Sequence, residues 1–441
     1  MAEKLEEKNP KDRLNVVILL IDAFRPKHLS LFGYEKETDK NLKKIASENI
    51  LFKKHFSTSN STAPALTSIF SGLYPKTHGI LHQFPYTTQE EIDKMENSVD
   101  FWLPSYLKNK GYETLAIDWI GMWFERGFDY YKEREEKESK IKKFMNVPLI
   151  KKSLLSLPNW AYKLGKKMIK VRSSAQFPPP DEAVELAITK IKGAEKPFFL
   201  FMHFWNTHFP FPTTNYKGSG KNNIDEIIKN IKSDLQREYV KKRIVDIDLY
   251  SMEDIINKYD LTIEDIDKSI GKLYDFLKNE GLWQNTLFII LGDHGTSIKE
   301  HEIYFSHSGL YDISVHVPLI MHFPNLRAKE VDNLVQNVDI VPTILDFLGF
   351  ETDKKFDGKS MLPSIMDDKK IRKAVFLFDG LCKDIKAVRT ETRKLIIAKD
   401  AECNLCKAKH VSEIEEYDLE KDPEELHNIY SGNSELMKFF K

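Results

Sequence analysis

Two apolar segments, far apart in the chain, each run directly into an acidic residue. Residues 14–21 lead into Asp22, and residues 286–292 lead into Asp293 and His294. Uninterrupted apolar runs of this length are typical of strands that are buried on both faces of a parallel sheet. Because ligands bind beyond the carboxyl ends of such strands, these three side chains can converge at one edge. The pattern predicts an α/β fold with a metal-dependent hydrolytic site.

A third segment, residues 60–79, places a hydroxyl group at the start of a predicted helix. Pro64 suits the first turn of that helix, and Thr62 lies just before it. A hydroxyl beside a cation can attack a phosphate or sulfate ester, because the metal lowers its pKa and free amides at the helix start attract the anion. In the alternative interpretation, Thr62 only caps the helix.

Motifs along nearly the whole chain resemble the sulfatase branch of the alkaline phosphatase superfamily. They include residues 22–25 (Asp-Ala-Phe-Arg), 71–79 (Ser-Gly-Leu-Tyr-Pro-Lys-Thr-His-Gly), 111–114 (Gly-Tyr-Glu-Thr), 292–295 (Gly-Asp-His-Gly) and 317–320 (Val-Pro-Leu-Ile). The resemblance implies an alkaline-phosphatase-like three-layer α/β sandwich with a mostly parallel central sheet. It also implies a small C-terminal subdomain built on an antiparallel sheet.

Several departures from the family pattern bear on the chemistry. Formylglycine-type sulfatases carry Cys or Ser two residues before the motif proline and Arg four residues after that Cys or Ser, where this chain has Thr62 and Leu66. Threonine cannot form the aldehyde. Ala23 replaces the second acid of the usual Asp-Asp pair, and residues 118–121 (Asp-Trp-Ile-Gly) replace Gly-Lys-Trp-His. We therefore expect an unmodified Thr nucleophile, a covalent phosphoryl-threonine intermediate, and phosphate mono- or diesters, including phosphonates, as substrates.

The site residues follow from the resemblance and from the strand ends together. One divalent metal ion per active site is expected, with the ligands Asp22, Thr62, Asp293 and His294. Mixed oxygen and nitrogen ligands suit Zn²⁺ or Mn²⁺, with Ca²⁺ or Mg²⁺ as alternatives. The resemblance places two candidate general acids on the anion or leaving-group side, which are His208 and His307. Four second-tier candidates are Asn206, His203, His301 and Arg25.

Three other functions stay open from the sequence. The chain could be a sulfuric ester hydrolase that lacks formylglycine, a phosphoryl-group transferase, or an inactive binding homologue. The related transferases use threonine but carry membrane spans, and this chain has no apolar run of about 18 residues. The apparently complete ligand set argues against an inactive homologue.

Composition and charge limit the partners. The formal net charge of −1 gives no global field for nucleic acid, so a small anionic ester is the expected partner. With neither a transmembrane span nor a signal peptide in the sequence, we expect a cytoplasmic protein. The predicted organisation is a polar tail (1–13), a catalytic α/β domain (14–370) and a C-terminal subdomain (371–441).

One insertion, at about residues 132–177, is strongly basic. Between residues 140 and 172 there are ten Lys or Arg residues and no Asp or Glu, interleaved with aromatic and leucine residues. Such a segment can lie on an anionic membrane surface or cover an anionic substrate. The alternative is a solvated helical hairpin that packs on the core by its apolar side.

The three cysteines of the chain lie near its C-terminal end. Cys403 and Cys406 form a Cys-x₂-Cys-x₃-His pattern with His410, and Cys382 is a candidate fourth zinc ligand. A disulfide and unmodified thiols are the alternatives.

Overall fold

The computed structural model describes residues 13–132 and 178–440, apart from residues 196, 214, 215, 217, 230, 232, 383, 400 and 401. The predicted tail, except for residue 13, and the basic insertion from residue 133 to residue 177 lie outside the described residues. No described helix is both long enough and apolar enough to cross a bilayer.

The described residues contain fourteen strands and twelve α-helices. In chain order the strands are β1 (Asn15–Ile21), β2 (Ile50–Phe52), β3 (His55–Phe56), β4 (Glu113–Ile117), β5 (Tyr130–Lys132), β6 (Phe198–Phe204), β7 (Thr286–Gly292), β8 (Leu319–His322), β9 (Lys329–Val331), β10 (Val335–Gln336), β11 (Val375–Phe378), β12 (Ile385–Arg389), β13 (Arg393–Ala398) and β14 (Ile414–Asp418). The helices are α1 (Lys40–Ser47), α2 (Thr62–Ser71), α3 (Pro75–His78), α4 (Gln89–Ser98), α5 (Leu103–Asn109), α6 (Pro180–Lys192), α7 (Ile224–Lys229), α8 (Asp234–Ile247), α9 (Met252–Asn279), α10 (Asp312–Val315), α11 (Ile340–Leu348) and α12 (Leu362–Met366).

An eight-stranded sheet forms the centre of the molecule, in the order β5-β4-β6-β1-β7-β8-β2-β9. Strand β1 pairs in parallel with both β6 and β7, and β8 is antiparallel to its neighbours β7 and β2. Every residue of β1, β6 and β7 is buried, as expected of strands covered on both faces. In register, Ile21 lies opposite Phe204 on one side and Gly292 on the other, so the three strands end together.

Two apolar cores cover the two faces of this sheet. Alternate residues of β1 belong to different cores, because successive side chains of a strand point to opposite faces. Val17 and Leu19 pack with helix α9, whereas Ile18 and Leu20 pack with helix α2. This arrangement of helices, sheet and helices is the predicted three-layer sandwich.

A second sheet lies near the C-terminal end of the chain. Its four strands follow the order β11-β12-β13-β14, and all three pairings are antiparallel. It has its own apolar cluster, which also includes Leu310 and Tyr311 of the larger domain. The predicted fold class, a mostly parallel three-layer sandwich with a small antiparallel sheet, is confirmed.

Candidate active site

The structure brings the four predicted metal ligands together at the carboxyl end of the central sheet. Asp22 follows β1, Asp293 and His294 follow the neighbouring β7, and Thr62 is the first residue of α2. The His294 Nε2 atom lies 3.2 Å from Thr62 Oγ1, 3.3 Å from Asp22 Oδ1 and 3.6 Å from Asp293 Oδ2. Three oxygen atoms therefore surround one imidazole nitrogen.

Backbone groups orient these ligands. Asp293 Oδ1 accepts hydrogen bonds from the amides of Ala23 (3.2 Å) and His294 (2.7 Å), which leaves Oδ2 for the site. His294 Nδ1 donates to the carbonyl of Gly295 at 2.7 Å. With its proton on Nδ1, the ring presents the lone pair of Nε2 to the carboxylates, which is the tautomer that a metal ligand needs.

The electrostatics of this cluster fit a bound cation. Asp22, Asp293 and His294 are fully buried, and both oxygens of Asp22 and Oδ2 of Asp293 have no hydrogen-bond partner among the described residues. Burial and the nearby Asp293 raise the pKa of Asp22, and burial raises the pKa of Asp293. Burial lowers the pKa of His294 to about 3, so the imidazole does not neutralise the acids. Two buried carboxyl groups facing a lone pair are costly unless a cation lies between them.

Thr62 does not act as a helix cap. The N-cap residue is Ser61, and Thr62 directs its hydroxyl at His294 Nε2 instead. The expected free amides at this helix start are only partly available. The Ala63 amide donates to Gln83 Oε1 at 2.7 Å, and Pro64 has no N–H group. The Ala63 amide is therefore occupied by a side chain that is distant in sequence, which leaves fewer donors for an anion than expected.

Both candidate general acids lie beside the metal cluster. The His307 ring stacks on His294 with 4.2 Å between centroids, and the His208 ring lies 6.4 Å from His307. His307 Nδ1 donates to the carbonyl of Asn60, and His208 Nδ1 donates to the carbonyl of Phe209 at 2.8 Å. In each ring, Nε2 is therefore the nitrogen that is left to contact a substrate. Burial lowers the pKa of both histidines.

A buried histidine–aspartate pair lies at the ends of β6 and β4, on the side of β1 that is away from β7. His203 Nδ1 is 3.1 Å from Asp118 Oδ1, and Asp118 also accepts hydrogen bonds from Tyr131 Oη (2.7 Å) and Trp205 Nε1 (3.1 Å). His203 Nε2 is buried and has no hydrogen-bond partner among the described residues. In register, His203 of β6 lies opposite Leu20 of β1, two residues before Asp22.

The sequence assigned Asp118 no role beyond being the first residue of the segment that replaces Gly-Lys-Trp-His. It follows β4, and His203 lies near the end of the adjacent β6. The signal used for Asp22 and Asp293, a polar residue at the end of an apolar strand, was present for Asp118 as well.

Three second-tier candidates make other contacts. Arg25 is buried and pairs with Glu300 at 2.9 Å. Asn206 Nδ2 donates to the carbonyl of Pro178 at 3.1 Å, and the His301 ring stacks on Tyr311 at 3.6 Å. These three residues contact other protein groups, whereas His203 keeps a buried Nε2 that has no hydrogen-bond partner among the described residues.

A loop after β11 closes the site from the C-terminal side. The Gly380 amide donates to Asn60 Oδ1 at 2.8 Å, and the Gly309 amide donates to Asp379 Oδ2 at 2.9 Å. A Cβ atom on Gly380 would lie 2.6 Å from Ser61 Cβ, so this loop touches the start of α2. Nothing local in the sequence indicates this contact.

Comparison with known proteins agrees with this architecture. The sulfatase family model matches residues 14–350, and the model described as N-sulphoglucosamine sulphohydrolase, C-terminal, matches residues 299–439. An N-acetylglucosamine-6-O-sulfatase of Bacteroides thetaiotaomicron is 22% identical, over 98% of this chain and 85% of the relative.

Two solved structures share the fold. The phosphonate monoester hydrolase of Agrobacterium radiobacter has a TM-score of 0.64 at 18% identity, over 97% of this chain and 93% of the other. A protein solved in complex with its substrate D-glucosamine-2-N,6-O-disulfate has a TM-score of 0.69 at 17% identity, over 97% and 95%. Enzymes of this superfamily generally depend on a divalent metal ion, which the cluster fits. The chain belongs to the sulfatase family, and its relatives identify it as an ester hydrolase.

Proposed function

We propose that this protein hydrolyses an ester of a tetrahedral anion, with Thr62 as the nucleophile. The observation that carries the proposal is the position of the Thr62 hydroxyl, 3.2 Å from His294 Nε2 within the cluster of Asp22, Asp293 and His294. This cluster offers the ligand types that hold Zn²⁺ or Mn²⁺. A bound divalent cation would favour loss of the Thr62 proton and neutralise part of the charge of the ester.

Sulfate esters are the first candidate substrates. The family model and the N-acetylglucosamine-6-O-sulfatase relative support them better than the phosphate esters expected from the sequence. Phosphate and phosphonate esters are the second candidate. The unmodified Thr62 hydroxyl favours them, because the family residues that would form and support formylglycine are absent.

The chemistry proceeds in two displacements. The Thr62 oxygen forms a bond to sulfur or phosphorus while the bond to the ester oxygen breaks, and the proton that Thr62 loses passes through Nε2 of His208 or His307 to the departing alcohol. Water then attacks the threonine ester, which releases sulfate or phosphate and returns a proton to Thr62.

His203 takes the place of the lysine that the family pattern carries at this edge. With Nδ1 held by Asp118, the buried Nε2 of His203 is available for a nonbridging oxygen of the ester. It would supply a contact to the ester at this edge, where Trp119 stands at the family's lysine position.

Matched aryl esters test the substrate class. The full chain, with its metal content measured by mass spectrometry, would be assayed on 4-nitrophenyl sulfate, 4-nitrophenyl phosphate, bis(4-nitrophenyl) phosphate and 4-nitrophenyl phenylphosphonate. We expect the highest kcat/KM on the sulfate ester. A clear preference for a phosphorus ester would establish the second candidate, and no turnover of any ester by metal-loaded protein would overturn both.

The nucleophile is tested on the best substrate of that panel. Thr62→Ala should lower kcat by at least about a thousand-fold, because the covalent route is lost, whereas Thr62→Ser should retain much of the activity. The mass increase of the trapped intermediate should map to Thr62. An unchanged rate in the alanine variant, or an adduct on another residue, would exclude Thr62.

We also propose that the basic segment at residues 140–172 contacts anionic surfaces. Its ten positive charges would attract anionic lipid, and that attraction weakens with salt. The full chain should bind vesicles of mixed phosphatidylserine and phosphatidylcholine at low salt and leave them at physiological salt. Replacing the lysines of this segment by glutamine should abolish binding without changing turnover of small aryl esters. Absence of binding by the unmodified chain at low salt would refute the proposal.

A further inference from the structure

Three side chains of the type that binds zinc converge where the C-terminal sheet meets the larger domain, and a fourth, Cys382, lies beside one of them. The sulfur atoms of Cys403 and Cys406 and a ring nitrogen of His410 all lie within 4.8 Å of one another. Cys406 Sγ lies 2.9 Å from His410 Nε2. Cys382 forms a β-bridge with Cys403, and the two thiols interact. All three cysteines are buried, and none forms a disulfide.

The backbone between β13 and β14 creates this arrangement. The Cys403 amide donates to the Ala408 carbonyl at 3.0 Å, and the Lys407 amide donates to the Cys403 carbonyl at 2.9 Å. Lys407 adopts a left-handed conformation with φ of 58°, which reverses the chain directly after Cys406. The turn therefore puts both sulfur atoms on one side and brings His410 back to them.

We infer that Cys382, Cys403, Cys406 and His410 bind a structural zinc ion. Three thiolates and one imidazole are an established tetrahedral ligand set for zinc, with bonds of about 2.0–2.3 Å and hence about 3.5–3.8 Å between ligand atoms. Soft sulfur ligands select zinc over magnesium, calcium or manganese. The Ser308 hydroxyl lies 2.9 Å from Cys403 Sγ, where it can donate to a thiolate and hold its orientation.

Other states of the cysteines account for fewer of these contacts. Thiols that only filled an apolar core would need neither the Ser308 hydroxyl nor the His410 ring beside them. A disulfide would use two sulfur atoms, whereas Cys403 interacts with Cys382, Cys406 and His410 together. A zinc ion uses all four groups.

The position of the site indicates what the zinc ion does. Cys382 belongs to the loop that carries Asp379 and Gly380, which bind Gly309 and Asn60 next to the nucleophile. Ser308, which contacts Cys403, directly follows His307. Four protein ligands leave no open position, so this zinc ion is structural. It stabilises the contact between the C-terminal loop and the residues around the active site. This zinc site is separate from the cation site at Asp22 and Asp293.

Metal content tests the inference directly, without reference to activity. The full chain would be purified under reducing conditions with zinc present, dialysed, and measured by inductively coupled plasma mass spectrometry. Cys406→Ser should lose one zinc equivalent relative to the unmodified chain, whereas the control His427→Ala, at an exposed histidine of the same subdomain, should lose none. Asp293→Asn should keep the cysteine-bound zinc. Unchanged zinc content in folded Cys406→Ser would overturn the inference.

A second measurement needs no variant, so misfolding cannot obscure it. Exchange of the bound metal for Co²⁺ should produce the near-ultraviolet charge-transfer absorption of cobalt thiolates. A thiol-specific reagent should modify three cysteines and release one zinc ion with the same time course. Three thiols that react in zinc-free native protein, or a mass lower by the two hydrogens of a disulfide, would overturn the inference.

Discussion

The carboxyl groups of Asp22 and Asp293 favour metal binding but lower the stability of the metal-free fold. Both carboxyl groups are fully buried, and three of their four oxygens have no hydrogen-bond partner among the described residues. Burial raises both pKa values, so the charged forms cost free energy until a cation neutralises them. Activity and stability should therefore respond in opposite directions when one of these charges is removed.

Asp293→Asn tests this opposition. The variant should lose most of its active-site metal and about a thousand-fold in rate, since a metal ion contributes several kcal/mol to such reactions. In excess chelator at pH 7, however, it should unfold at a higher urea concentration than the unmodified chain, because one buried charge is gone. Urea titrations with and without chelator measure both effects. Lower stability of the variant under chelation would contradict this explanation of the raised pKa values.

Unlike the two buried acids Asp22 and Asp293, Arg25 and Glu300 carry opposite charges, and each charge stabilises the other. The Arg25 guanidinium counteracts the effect of burial and holds the pKa of Glu300 well below its usual range. A depressed carboxyl pKa contributes stability above the unfolded value of about 4.3, and this contribution is lost as pH falls toward the folded pKa.

Glu300→Gln should therefore destabilise the protein in a pH-dependent way. Near pH 7 we expect a loss of about 3 kcal/mol, because Arg25 is left buried without its partner. The difference from the unmodified chain should stay constant between pH 8 and pH 5 and narrow below about pH 4. Urea unfolding across this range provides the measurement, and a difference that widens in acid would rule out the ion-pair interpretation.

At the scale of elements, local sequence signals predicted the elements that carry the site but not the contacts between distant segments. Continuous apolar runs identified β1 and β7, and a proline after a hydroxyl identified the start of α2. The Gln83 side chain on the Ala63 amide and the Gly380 loop beside Ser61 were not predicted. Each contact joins two segments that are far apart in the sequence, and no local pattern in either segment indicates its partner. Only tertiary packing determines these contacts.

The Gly380 loop gives a prediction at this scale. A methyl group at position 380 would lie 2.6 Å from Ser61 Cβ, so Gly380→Ala must displace either the loop or the start of α2. We expect at least about a ten-fold loss of kcat, since small misplacements of a nucleophile are costly. Gly193→Ala is the matched control, because the nearest atom to its new methyl group is 3.7 Å away. Equal activity of the two variants would show that the loop does not position Thr62.

At the scale of the molecule, a buried ion cluster joins the C-terminal sheet to the larger domain. Lys394 on β13 is fully buried and contacts Asp312 at 2.7 Å and Glu425 at 2.8 Å. Arg389 on β12 also contacts Asp312, at 3.2 Å. These contacts couple the sheet to helix α10. The predicted boundary between the catalytic domain and the C-terminal subdomain, at residues 370 and 371, stays a prediction. The cytoplasmic location also stays a prediction.

Lys394→Met should destabilise the whole chain. Asp312 and Glu425 would keep their burial and lose a cation, which costs about 3–5 kcal/mol in comparable pairs. Lys370→Met serves as the control, because the pair of Lys370 with Glu391 is largely exposed and is worth at most about 1 kcal/mol. Chemical denaturation of both variants provides the comparison. A similar small effect at both positions would mean that the cluster does not hold the sheet in place.

The central position of β1 between β6 and β7 has a consequence for how such an enzyme can diversify. Amides in these innermost strands should exchange their hydrogens only when the entire domain opens, so the groups that perform the chemistry are anchored to the slowest-exchanging part of the chain. The surrounding walls come from connecting loops and from the C-terminal sheet. Mutations there can alter which ester is accepted while the metal ligands stay in register, so one catalytic apparatus can serve a succession of substrates.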